Sequence, residues 1–259
     1  MTAGDAPDLN YLLEGPEDAP VLVLSNSLGT SLEMWDDLAP VLGDRFRLLR
    51  YDTRGHGRSP APPGPYAIGD LGGDVIRLLD RLGIERASFC GLSVGGMTGM
   101  WLAAEAPERV ERLVLLCTSY LLGPKSVWDE RIATATEQGM TALVDGVIER
   151  WFTPAFRSEN PKVVEKMATT LRETDPEGYA GCCAAIRDMD LRDRLPSIKA
   201  PTLVVSGAED PATPPEHGKL IRDAIPGARF EVVSRAAHIA NVERPGEITQ
   251  LILTHLEAE

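Results

Sequence analysis

The sequence predicts an α/β protein with a mostly parallel sheet covered by helices on both faces and a helical cap inserted between two core strands. Two observations carry this reading. Short β-branched runs alternate with longer helical patterns along most of the chain. That rhythm breaks between about Ser119 and Leu195, where only helical patterns such as Met140–Trp151 and Pro161–Thr174 occur, punctuated by Pro124, Pro154, Pro161, Pro176 and Gly178.

In order, the runs expected as strands are Leu9–Leu13, Val21–Ser25, Arg47–Tyr51, Ala87–Cys90, Leu113–Cys117, Thr202–Ser206 and Phe230–Val233. Between them, helices are expected at Leu32–Leu42, Ile68–Leu82, Gly95–Ala104, Glu216–Ala224 and Gly246–Leu256. Pro107 follows one helix, and Pro215 and Pro245 stand where a first turn tolerates proline. The core is therefore expected over residues 1–118 and 196–259, and the cap over 119–195, a stretch too short for a separate domain when both its neighbours belong to one sheet.

Composition narrows the function. A net charge of −13 disfavours nucleic acid and anionic membrane surfaces as partners. An anionic substrate would have to be held by particular arginines against that average field. The first twenty residues lack a basic region followed by an apolar one, and no run approaches a membrane span, so a cytoplasmic protein is expected. Cys90 and Cys117 lie in apolar runs, Cys182 and Cys183 read as neighbouring helix thiols, and no disulfide is expected.

The strongest chemical signal is Gly91-Leu92-Ser93-Val94-Gly95-Gly96, directly after a strand and before a helix. A serine on that sharp turn takes strained backbone angles that only small neighbours permit, which explains glycines two before and two after it. The turn raises the hydroxyl above the sheet and sets the Val94 N–H at a helix N-terminus, where negative charge is favoured. Ser93 is thus the candidate nucleophile. A hydroxyl needs a base within hydrogen-bond reach. Of four histidines, His56 lies in the turn Arg54-Gly55-His56-Gly57, His217 opens a helix and His255 sits in the C-terminal helix. His238 follows the last strand in a loop at the C-terminal sheet edge, where ligands collect in open parallel sheets. The orienting acid should end the preceding strand, where Glu209 and Asp210 both stand; Asp210 is favoured because it comes last, beside the turn. Acyl transfer also needs oxyanion donors. Val94 N–H is the first, and Ser27 N–H, with Leu28 as alternative, is the second, from the loop Asn26-Ser27-Leu28-Gly29-Thr30.

With these residues assembled, the chain resembles the α/β-hydrolase superfamily over essentially its whole length. Four segments look similar to the 3-oxoadipate enol-lactonases: Ser25-Asn26-Ser27-Leu28-Gly29-Thr30, Tyr51-Asp52-Thr53-Arg54-Gly55-His56-Gly57, the Ser93 turn, and Ala237-His238-Ile239-Ala240-Asn241-Val242-Glu243. Many superfamily members carry His-Gly where this chain has Ser25-Asn26, a departure shared with the enol-lactonases. The resemblance implies hydrolysis of 3-oxoadipate enol-lactone to 3-oxoadipate in protocatechuate and catechol breakdown, with no metal or cofactor. That small-molecule substrate carries a carboxylate. Arg131 is the first choice for its partner, Trp128 and Trp151 for a pocket wall, and Leu28 for a further substrate contact, although an arginine on a helix surface and tryptophans in a cap core are equally ordinary. Met34 and Trp35 read as core. Two other functions compete: a general carboxylesterase or cofactor-free haloperoxidase or perhydrolase with the same triad, and a small-molecule receptor that uses the fold and cap with catalysis vestigial.

Overall fold

The computed structural model describes residues 7–258, so residues 1–6 and 259, at the outer ends of the two expected core segments, lie outside it. Among the described residues seven strands form one sheet: β1 (Tyr11–Glu14), β2 (Val21–Ser25), β3 (Arg47–Tyr51), β4 (Ala87–Leu92), β5 (Val110–Leu116), β6 (Thr202–Gly207) and β7 (Arg229–Val233). Their order is β1-β3-β2-β4-β5-β6-β7. Only the β1–β3 pair is antiparallel; every other neighbouring pair is parallel. β4 and β6 are buried along their whole length, as apolar runs covered on both faces should be.

The helices are α1 (Ala39–Gly43), α2 (Ile68–Arg81), α3 (Val94–Glu105), α4 (Lys125–Gln138), α5 (Val144–Trp151), α6 (Pro154–Glu159), α7 (Pro161–Glu173), α8 (Pro176–Asp188), α9 (Pro215–Ala224), α10 (Ala240–Glu243) and α11 (Pro245–Leu256). Helices α4 to α8 all fall between β5 and β6. Pro215 and Pro245 each begin a helix, where the missing N–H costs nothing.

Several expected elements differ. β5 begins at Val110, three residues before the expected Leu113, and the run Met140–Trp151 divides into a 3₁₀ turn at Met140–Leu143 and α5. The run Leu32–Leu42 is not one helix but a 3₁₀ turn at Leu32–Trp35 followed by α1. Pro40 is the cause: inside a continuous helix it would remove a donor and press its ring against the carbonyl of Asp36, so the chain restarts at Ala39. The first strand begins at Tyr11 rather than Leu9, because its register with β3 runs from Tyr11 opposite Tyr51 to Glu14 opposite Leu48, and β3 ends at Tyr51. Leu9 instead packs into the core.

The inserted helices dock closely on the core. Gly55, at φ 72°, meets Gly178 of α8 so tightly that a Cβ on Gly55 would lie 2.3 Å from the Gly178 Cα. All four cysteines are free and buried, with Cys182 and Cys183 side by side in α8. No helix among the described residues is long and apolar enough to cross a membrane.

Candidate active site

The turn between β4 and α3 holds Ser93 at φ 57° and ψ −116°. A Cβ on Gly91 would come within 2.2 Å of the Gly95 carbonyl oxygen, and one on Gly95 within 2.3 Å of the Ser25 carbonyl oxygen. Both glycines are therefore required by close backbone approach, and not merely tolerated. The turn is pinned from three sides: Ser93 N–H donates to Leu116 O at 3.0 Å, Thr118 Oγ1 donates to Ser93 O at 2.7 Å, and Gly95 N–H donates to Asn26 O at 3.1 Å. Val94 opens α3, so its N–H has no intrahelical acceptor.

His238 lies buried in the loop between β7 and α10. Its Nδ1 and Asp210 Oδ2 are 2.9 Å apart, and His238 and Ser93 line the same cavity. Asp210 is buried after β6, whereas Glu209 beside it is exposed and uses its N–H to hold Ala236 O at 2.9 Å. The Asp210 carboxylate is fully engaged: Oδ1 accepts the N–H groups of Ala212 and Thr213 at 2.8 and 3.0 Å, and Oδ2 accepts Thr213 Oγ1 at 2.7 Å. Burial alone would raise its pKa, but the adjacent His238 and the bonds from His238 and Thr213 hold it below the usual carboxylate value. The other histidines are placed elsewhere. His56 Nδ1 contacts Arg54 O and His255 Nε2 contacts Pro201 O, both at 3.1 Å, and His217 stands on α9.

The loop after β2 differs from expectation in one detail. Ser27 lines the cavity, but its N–H is not free; it points at Met34 Sδ, 3.3 Å away. The cause is the 3₁₀ turn at Leu32–Trp35, which folds Met34 back over the loop. A thioether is a weak acceptor. Asn26 and Ser25, at the departure from His-Gly, serve the core: Asn26 Nδ2 donates to Tyr51 O at 2.7 Å, its Oδ1 accepts Trp35 Nε1 at 2.9 Å, and the hydroxyls of Ser25 and Tyr51 lie 2.6 Å apart. Met34 and Trp35 are buried in the core, as expected.

A cavity of about 270 Å³ joins these residues to the inserted helices. Leu28, Trp128, Arg131 and Trp151 all line it, so every expected substrate contact reaches the same space as Ser93 and His238. The Arg131 guanidinium lies 5.1 Å from the centre of the Trp128 ring, whose Nε1 is fixed to Leu122 O at 3.2 Å. Two residues that sequence reasoning missed complete the wall: Arg150 and Tyr179. Among the described residues neither Arg131 nor Arg150 forms an ion pair. Burial, and then the like charge of Arg131, lowers the Arg150 pKa. Burial raises the Tyr179 pKa, with Arg131 and Arg150 pulling against it. Two unpaired cations side by side are an arrangement that an anion relieves. A larger recess of about 510 Å³ beside α7 carries Glu33, Asp36, Asp52 and Glu173 and contains no histidine.

Comparison with known proteins shows the family to which the chain belongs. A family model described as alpha/beta hydrolase fold matches residues 20–245. The chain is 44% identical over 245 residues to 3-oxoadipate enol-lactonase 2 of Acinetobacter baylyi, covering 95% of this chain and 91% of that protein. It is 35% identical over 251 residues to 3-oxoadipate enol-lactonase 1 of the same organism, covering 97% and 94%. The crystal structure of the enol-lactonase from Burkholderia xenovorans superposes with a TM-score of 0.96 at 46% identity, covering 97% of each chain. The chain therefore belongs to the α/β-hydrolase fold family, and within it stands among the carboxylic ester hydrolases that resemble 3-oxoadipate enol-lactonase.

Proposed function

We propose that this chain hydrolyses 3-oxoadipate enol-lactone to 3-oxoadipate, a step of protocatechuate and catechol breakdown, through an acyl-enzyme on Ser93. In this reading Ser93 Oγ attacks the lactone carbonyl while His238 Nε2 takes its proton. Asp210 holds Nδ1–H and stabilises the imidazolium without accepting the proton. Negative charge on the carbonyl oxygen falls to Val94 N–H and to Ser27 N–H, which exchanges a weak thioether for a charged acceptor. His238 returns the proton to the departing enol oxygen. Because an enol is more acidic than an alcohol it leaves readily, and its tautomerisation to a ketone removes the nucleophile that would close the ring again. Water, deprotonated by His238, then frees the acid from Ser93.

The observation that carries the substrate assignment is the pair Arg131 and Arg150, two unpaired guanidinium groups in the cavity that holds the serine and histidine. A protein of net charge −13 that leaves two arginines unneutralised there is built to hold a carboxylate locally. A general esterase has no use for that charge. The segment 119–195 acts as the cap that supplies it. Free, buried thiols suit a reducing compartment such as the cytoplasm, where we place the reaction.

Ser93→Ala tests the mechanism. It is expected to keep less than about 1% of kcat on the enol-lactone, and intact mass spectrometry of the parent enzyme quenched during turnover should show an adduct on Ser93. Retention of more than a few per cent by the variant would end the acyl-enzyme mechanism.

A further inference from the structure

The backbone amides on either side of His238 are linked to the insertion, one directly and one through Glu243 of α10. Ile239 N–H donates to Trp151 O at 3.0 Å. Ala237 N–H donates to Glu243 Oε2, while Glu243 Oε1 accepts Thr153 N–H at 2.8 Å and Thr153 Oγ1 at 2.9 Å. Glu243 closes α10 and is only 8% exposed. Its two oxygens thus face three donors, an environment that only an acceptor-only group satisfies. Burial pushes the Glu243 pKa up, and the bonds from Ala237 and Thr153 pull it back down.

We propose that Glu243 is a positioning residue whose carboxylate bolts the His238 loop to residues 151–153 of the insertion, so that the imidazole and the Trp151 wall of the cavity are set together. The inference rests on His238 being the general base. Trp151 stands on both sides of this link, since its carbonyl holds Ile239 while its side chain lines the substrate cavity. The loop between β7 and α10 has no ladder of its own beyond β7; Asp210 and the Glu209 N–H hold it on the sheet side, and these ties hold it on the side of the insertion. Glutamine at this position would keep the shape but turn an NH₂ group against an N–H donor. Aspartate would keep both acceptors with a shorter reach.

That contrast separates positioning from packing. The measurement is the rate of Ser93 labelling by a fluorophosphonate, with kcat and KM on a neutral ester, per folded enzyme, for the unmodified protein, Glu243→Gln and Glu243→Asp. Glu243→Gln is expected to lose about ten- to a hundredfold in labelling and in kcat, as a displaced general base should, with KM changed much less. Glu243→Asp is expected to retain more than Glu243→Gln although it departs further in shape. Unchanged rates in Glu243→Gln, or aspartate retaining no more than glutamine, would overturn the proposal. If the unmodified protein failed to label, the reading of Ser93 and His238 would fall instead. Should Glu243→Gln not fold, Thr153→Val removes one donor and leaves the carboxylate; a severalfold loss in labelling is then expected, and an unchanged rate overturns the proposal.

Discussion

Ser93 sits at φ 57°, a region that costs a non-glycine residue about 1–3 kcal/mol and persists only where its surroundings hold it. Those surroundings are specific: Leu116 O and Thr118 Oγ1 hold the peptide groups on either side of its Cα. In the proposed mechanism, strain kept at one residue by bonds from its neighbours is what holds the nucleophile in place. Arg131 and Arg150 present the opposite case, where a cost is left uncompensated within the protein. We expect Arg131→Met and Arg150→Met each to raise KM for the anionic lactone about tenfold or more, since a charge-assisted hydrogen bond is worth about 1.5–3 kcal/mol. On a neutral ester the same variants should change KM by less than about threefold. Equal losses on both substrates would remove the carboxylate role. The sequence named Arg131 and not Arg150 or Tyr179, because nothing in their local spacing separates a cavity wall from a helix surface. Only the packing of α5 and α8 across the strand ends brings them beside Ser93.

At the scale of elements, the strand–turn–helix unit around Ser93 depends on glycines that the backbone has closed over. Gly95→Ala would set a methyl 2.3 Å from the Ser25 carbonyl, with backbone rather than a flexible side chain in the way. A loss of about 2–3 kcal/mol in stability is expected, together with loss of fluorophosphonate labelling. Gly146→Ala is the control. Gly146 lies on the exposed face of α5 with its nearest neighbour, the Arg150 side chain, 3.8 Å from the added methyl, and about 0.5–1 kcal/mol of stabilisation is expected. Thermal unfolding of the two variants checks both, and a Gly95→Ala protein as stable and reactive as the parent would contradict the turn geometry. These elements were legible in advance because local chemistry marks them: short apolar runs, β-branched in β2, β5, β6 and β7, prolines at the first turns of α9 and α11, and glycines around Ser93. One failure was local, since Pro40 stood in the sequence and broke an expected helix. The others lie where tertiary partners decide: the end of β3 set the start of β1, and the fold of Met34 over Ser27 depends on a 3₁₀ turn that no periodicity announces. Thr213, which holds Asp210 through both its N–H and its hydroxyl, was likewise invisible without the loop's conformation.

For the whole molecule, pH links burial to stability. Burial lowers the pKa of His56, His217 and His255 below the ordinary 6.5. The unfolded chain therefore takes up protons first as pH falls, and the stability these groups leave intact above pH 6.5 is lost below it. Asp210, held below its ordinary 3.8, adds stability that is lost only at still lower pH. Glu243, raised from 4.5, acts in the opposite sense, since the folded protein binds its proton first. Between pH 7.5 and 5.5 the histidines dominate, so the thermal midpoint should fall by several degrees across that interval. A flat profile would show that these histidines are not held neutral. The most direct measurement on function compares kcat/KM of the unmodified enzyme for 3-oxoadipate enol-lactone with that for neutral esters such as p-nitrophenyl acetate. A preference for the enol-lactone of about a hundredfold or more is expected, the size of one charge-assisted contact made to the substrate and denied to its competitor. Neutral esters turned over as efficiently as the lactone would contradict the assignment and leave a general esterase in its place.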